Sequence, residues 1–111
     1  DRLIKDGLEV VVLDNLSSGR EENLSISIKQ NGFHLVRGDV RDFDLIRNLV
    51  RDVDVIFHEA AIVSVPLTIK DPMLAHDTNG KGTLNLLTAC LNSNVKRFIY
   101  ASSCAVYGNA E

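Results

Sequence analysis

Cysteine is scarce in this sequence: Cys90 and Cys104 are the whole thiol inventory. They form no CxxC pair, and with His34, His58 and His76 they make no metal-ligand spacing. Two unpaired thiols fit a reducing compartment better than a disulfide between them. An excess of positive charge is missing too. The chain has 12 Lys and Arg against 15 Asp and Glu, a net charge of −3. No basic stripe gathers the cations, which argues against nucleic acid or an anionic membrane as partner. No apolar run approaches the length of a membrane span. No charged-then-apolar signal segment opens the chain, so cytoplasmic residence is expected. Internal repeats, low-complexity tracts and linkers are also lacking.

What is there is the ordinary mixture of a small globular domain. Of 111 residues, 45% are hydrophobic and 24% charged, enough for one domain with a modest core. The chain opens without Met inside the helix-like "DRLIKDG" and stops at Glu111 just after a turn signal. An interior piece of a longer protein is the expectation.

The pattern along the chain alternates. "DRLIKDG" reads as the end of a helix stopped by Gly7. "LEVVVLD" (8–14) is β-branched and nearly continuous, the pattern of a strand buried on both faces. "NLSSGR" is a polar turn, and 21–31 reads equally as a short helix or an irregular loop. "FHLVRGD" (33–39) is a second strand. "RDFDLIRNLVRD" (41–52) is amphipathic, with Phe43, Ile46, Leu49 and Val50 on one face and Asp42 placed as N-cap. "VDVIFHEAA" (53–61) is a third strand, and "IVSVPLTIK" (62–70) a loop or short extended piece. Asp71-Pro72 starts a helix reaching about Asn92, with Leu84, Leu87 and Leu91 in one stripe. Gly80 and Gly82 inside it predict a close approach or a local irregularity. "VKRFIYAS" (95–102) is a fourth strand. Alternation at this spacing implies βαβ units, hence an α/β fold on a parallel sheet.

In open parallel sheets, ligands bind beyond the carboxyl ends of the strands. Here each strand turns polar or small at that end: Asp14-Asn15, Gly38-Asp39-Val40, His58-Glu59-Ala60-Ala61 and Ala101-Ser102-Ser103. Asp14 suits a ribose-binding acid closing the second strand of a dinucleotide fold, or a turn-starting Asp. With Asn15 next to it and Arg20 six residues on, NAD is favoured over NADP. Asp39 is left free for a role such as an adenine contact, because Asp42 is the better helix cap. Ala60 and Ala61 permit close backbone approach to a cofactor or tight helix–strand packing. His58 reads as a strand-end histidine satisfied by backbone rather than a catalytic one. Asn79 either faces the cofactor or sits in a poorly formed turn.

Five stretches, "VVVLDNLSSG", "VRGDVRD", "VIFHEAAIVSVP", "NGKGTLNLLTA" and "RFIYASSCAVYG", occur in one order over nearly the whole chain. Together they resemble the extended short-chain dehydrogenase/reductase family, and within it the NAD-dependent sugar-nucleotide epimerase/dehydratase group. The resemblance implies that 1–111 is a partial NAD-binding Rossmann domain, a doubly wound parallel sheet lacking its first strand and C-terminal part, with no second domain. It implies that Asp14 holds the adenosine ribose, with Asn15 and Ser18 near that ribose and the phosphates. Asp39 and Val40 would line the adenine pocket. Ala60 and Ala61 would run along the phosphates and nicotinamide ribose, and Asn79 would support the nicotinamide-side loops. Ser103 matches the catalytic Ser/Thr, four before the Tyr107 of "VYG", with Ser102 on the cofactor side. Tyr107 belongs to a structural element.

Ser64-Val65-Pro66, without a lysine near Val63, looks more like epimerases of UDP-N-acetylhexosamines than the narrower glucose/galactose type, which places Ser64 and Val65 near substrate. The family's GxxGxxG turn and YxxxK pair do not occur in these residues. They are expected outside both ends, with the missing strand leaving a gap between the strands at 8–14 and 53–57. The complete protein is expected to be a homodimer, through the helix at 72–92 and the YxxxK helix, that epimerises a UDP-sugar at C4. The isolated piece is expected to be marginally stable and inactive. The competing expectation is a non-catalytic NAD(P)-binding regulator on the same fold.

Overall fold

A computed structural model describes residues 1–108; the turn expected just before Glu111 lies partly outside them. The chain divides into two compact units, Asp1–Val40 and Arg41–Glu111. Both are α/β with parallel strands, as the alternation required.

The first unit opens with helix α1 (Arg2–Lys5). It ends as its sequence dictates. Gly7 takes a φ of +80°, Gly7 N–H reaches the Ile4 carbonyl at 2.9 Å, and Leu8 N–H reaches that of Leu3 at 3.0 Å. That double closure is the Schellman stop, which glycine adopts without steric strain. Strand β1 (Val10–Asp14) then pairs in parallel with β2 (Phe33–Arg37), Val10 opposite Phe33 and Asp14 opposite Arg37. The ambiguous stretch between them forms two 3₁₀ turns, Glu21–Leu24 and Ser27–Lys29. Glu21 reaches over to ion-pair with Arg37 of β2.

The second unit begins with α2 (Phe43–Leu49), continued by a 3₁₀ turn over Val50–Asp52. Asp42 caps it, its carboxylate accepting from Leu45 N–H at 3.0 Å; such a cap stabilises by about 1 kcal/mol. Strand β3 (Val55–His58) pairs in parallel with β4 (Arg97–Tyr100), Val55 opposite Arg97 and His58 opposite Tyr100. Between them lie α3 (Val65–Lys70), α4 (Pro72–His76), a π-helical turn (Asp77–Lys81) and α5 (Gly82–Cys90). The α2 and α5 helices pack together, and Ile46, Val50, Ala75, Leu86 and Ala89 are the buried apolar residues of this unit.

Four expectations about the elements are corrected. Of residues 62–70, expected as a loop or short extended piece, 65–70 form the helix α3. Ser64 caps α3 through Leu67 N–H at 3.4 Å, and Pro66 sits in the first turn, where its missing N–H is harmless. The helix after Asp71 is not continuous to Asn92; it widens into the π-turn and ends at Cys90. Nor is β1 buried on both faces; Val11 is exposed. The Leu84, Leu87 and Leu91 stripe also points to solvent, and α5 presents Gly82, Leu86 and Ala89 to the core instead. Among the described residues no helix is long and apolar enough to cross a membrane.

Candidate functional site

Polar strand ends gather in each unit, and each set is built by its own ladder. In the first unit, hydrogen bonding runs one residue past the strands, Gly38 N–H meeting the Asp14 carbonyl at 3.1 Å. The carboxyl ends of β1 and β2 are thereby held side by side. Asn15 bridges them, its Nδ2 donating to Asp39 Oδ2 at 3.0 Å. Asp14 Oδ1 accepts from Leu16 N–H at 2.8 Å, and Leu16 takes the left-handed φ of 54°. This folds the 15–19 loop around the carboxylate. Oδ2 has no hydrogen bond among the described residues and faces Gly19, where a Cβ would come within 3.1 Å of it. Ser18 is exposed on that loop, and Val40, next after Asp39, is buried.

In the second unit the ladder also runs on by one bond, Ala101 N–H to the His58 carbonyl at 3.1 Å. Beyond it opens a cleft of about 430 Å³. Its walls are the 60–63 turn, Asn79 and the 100–103 segment, so Ala60, Ala61, Asn79, Ser102 and Ser103 meet in one place. Ser103 begins a 3₁₀ turn (Cys104–Tyr107), its Oγ accepting from Ala105 N–H at 3.2 Å. That bond occupies an oxygen lone pair and leaves the hydroxyl proton to donate. Ser64 and Val65 do not line the cleft; Ser64 serves as the α3 cap, and Val65 is exposed in its first turn.

Two residues behave differently from their sequence reading. Asn79 neither idles in solvent nor presents a free amide. Its Oδ1 accepts from Ile62 N–H at 2.8 Å and its Nδ2 donates to the Ile62 carbonyl at 3.0 Å. His58, only 3% exposed, is satisfied not by backbone but by the Thr83 hydroxyl, at 2.8 Å from Nε2. Burial pushes its pKa below the ordinary value. Thr83 was missed. Its signal was the spacing: four residues after Asn79 on a glycine-broken helix, a hydroxyl bonds back to the carbonyl, here at 2.6 Å. Gly80 belongs to the same irregularity, since a Cβ there would stand 3.3 Å from the His76 ring. Cys90 and Cys104 are both free thiols.

The comparisons with known proteins agree with one another. The model of the NAD dependent epimerase/dehydratase family matches residues 1–111. A UDP-glucose 4-epimerase of Mycolicibacterium smegmatis is 41% identical over 110 residues, covering 97% of this chain and 35% of that protein. One from Rhizobium meliloti is 36% identical over 109 residues, 96% of this chain and 31% of the relative. The chain thus spans about a third of the length of these curated relatives. Among solved structures, the UDP-N-acetylglucosamine 4-epimerase from Methanobrevibacter ruminantium, in complex with UDP-N-acetylmuramic acid, has 38% identity and a TM-score of 0.87, over 99% of this chain and 34% of its own. A dTDP-glucose 4,6-dehydratase from Streptomyces venezuelae, solved with NAD bound, has 32% identity and a TM-score of 0.87, covering 99% and 37%.

Proposed function

Because this chain belongs to the NAD dependent epimerase/dehydratase family, we propose that it supplies the cofactor-binding and serine side of a site that epimerises a UDP-sugar at C4. The observation that carries the reading is the cleft of the second unit, where small residues at 60–61 lie with Ser102 and Ser103 beyond two parallel strands.

The residues fit NAD. In the first unit Asp14 Oδ2 is a carboxylate acceptor without a hydrogen bond among the described residues, the group that a ribose diol needs. Asn15 and Asp39 bridge the same strand ends, with Ser18 and Val40 beside them as the phosphate-side and adenine-side residues. In the second unit Ala60 and Ala61 leave room for close approach. Bound NAD supplies a place for the hydride on the sugar's C4 to go and to return from. The chain's own residues orient the reactants. Ser103 would donate a hydrogen bond from its hydroxyl to the oxygen on C4 and keep it as that oxygen gains carbonyl character, the proton of the C4 hydroxyl passing to the tyrosine of the family's YxxxK pair. Ser102 lies beside it on the cofactor side. Asn79 holds the 60–63 wall in place.

Support for a UDP-N-acetylhexosamine comes from the residues at 63–66, which hold no lysine, and from the Methanobrevibacter ruminantium neighbour, named for UDP-N-acetylglucosamine. Ser64 and Val65 do not line the cleft but follow Val63 of its wall directly, which supports keeping them on the substrate side. The exposed stripe of Leu84, Leu87 and Leu91 supports a homodimer built on α5. The test is binding and turnover by the protein as its gene encodes it. Calorimetry should detect NAD, and chromatography of UDP-N-acetylglucosamine reactions should reveal the C4 epimer. NAD binding without any epimer, from every UDP-sugar offered, would move the reading to a non-catalytic regulator.

A further inference from the structure

We infer that Thr83 and His58 are positioning residues that set the wall of the cleft through Asn79. The inference deepens the proposed function, resting on it only for what the cleft binds. The geometry is a relay of four hydrogen bonds. Thr83 has one hydroxyl proton, and Oγ1 gives it to the Asn79 carbonyl at 2.6 Å. The same oxygen therefore accepts from His58 Nε2 at 2.8 Å, which fixes the imidazole proton on Nε2. Asn79, so held by its backbone, turns its side chain onto Ile62, engaging both the N–H and the carbonyl. Ile62 belongs to the cleft wall next to Ala61.

Each link joins a different element. His58 closes β3 and is buried, its ring 5.4 Å from that of Tyr100, the last residue of β4 before Ala101. Asn79 sits in the π-turn, a distortion found frequently at functional sites. A regular α-helix through 77–81 would rotate Asn79 away from its present direction. Thr83 is thus the pin between a rigid ladder and an irregular turn. A hydroxyl is needed there; packing alone does not account for a side chain that both donates and accepts.

The test uses the protein as its gene encodes it, with Thr83→Val, which keeps the shape and loses the hydroxyl, and Thr83→Ser, which keeps the hydroxyl. In T83V the Ile62 amide should exchange about tenfold faster, as expected on losing about 1.4 kcal/mol of local protection. Amides of Ile46 and Leu86 in the helix core should stay unchanged. The NAD dissociation constant should rise about tenfold by the same arithmetic. T83S should keep Ile62 protection and NAD affinity within about twofold of wild type.

Unchanged Ile62 exchange in T83V overturns the inference, and so does a T83S variant as impaired as T83V. If wild type binds no NAD, the proposed function fails and the exchange comparison alone decides the relay. A wild-type measurement covers the case in which T83V does not fold. Imidazole ¹⁵N spectra should show the His58 proton on Nε2; a proton resident on Nδ1 contradicts the relay.

Discussion

Asn79 and Ile62 are joined twice, with Oδ1 accepting the Ile62 N–H at 2.8 Å and Nδ2 donating to its carbonyl at 3.0 Å. Only a carboxamide can do both. In Asn79→Asp the ionised side chain keeps an acceptor for the N–H but sets a second oxygen against the carbonyl. The expected loss is about 1–3 kcal/mol, the range for a part-buried polar group left unpaired. Chemical denaturation of the variant checks it, and a midpoint equal to wild type would contradict the clamp.

Stability should depend on pH through His58. Burial lowers its folded pKa below the ordinary value of about 6.5. The unfolded chain therefore binds the proton more readily than the folded one. The contribution is fully present above that ordinary value and is lost as pH falls through the folded pKa. Unfolding curves between mildly acidic and neutral pH should show stability rising with pH. His58→Gln, whose amide can still donate to Thr83, should flatten that part of the profile.

Ser103 should separate chemistry from binding. Ser103→Ala removes the donor proposed for the sugar oxygen, and the expected loss in kcat is about 10²-fold, the scale of one hydrogen-bond donor in a reacting site. NAD affinity should be unchanged, because Asp14 is untouched. Equal losses in NAD affinity and turnover would show that the variant disturbs the strand end instead.

Asp14→Ala should do the reverse. It removes the acceptor proposed for the ribose and also the anchor of Leu16 N–H. An NAD dissociation constant raised about tenfold or more, roughly 1.4 kcal/mol, is expected. Calorimetry reads it directly, and unaltered affinity would remove Asp14 from the site.

The exposed α5 stripe gives a prediction about assembly. Leu87→Asp lies outside the buried set of Gly82, Leu86 and Ala89. It should leave the fold intact and shift sedimentation from dimer to monomer. A protein monomeric before the change would overturn the homodimer proposal.

Much of this was legible because the signals are local. Gly7, Asp42 and Asp71 each announced a helix boundary through a cap, and the apolar runs announced all four strands. The small and polar ends of β3 and β4 pointed to the cleft beyond them without any tertiary information. The α3 helix was misread although Ser64 and Pro66 carry the same capping chemistry as Asp71 and Pro72, in a weaker apolar pattern. Two glycines foretold the irregularity at 77–81, but not that an extra residue in the turn would aim Asn79 at Ile62. The His58–Thr83 bond spans 25 residues, so no local pattern carried it. The burial of β1 depends on what covers its faces, and periodicity reports only what a strand is suited to contact.

The most direct measurement offers UDP-N-acetylglucosamine carrying deuterium at C4 to the protein as its gene encodes it. The account predicts the C4 epimer with the deuterium retained, because the hydrogen leaves as hydride and returns to the same carbon. It also predicts formation about 10²-fold slower with Ser103→Ala. An epimer that has lost its deuterium to solvent would contradict the account, as would undiminished turnover without the serine.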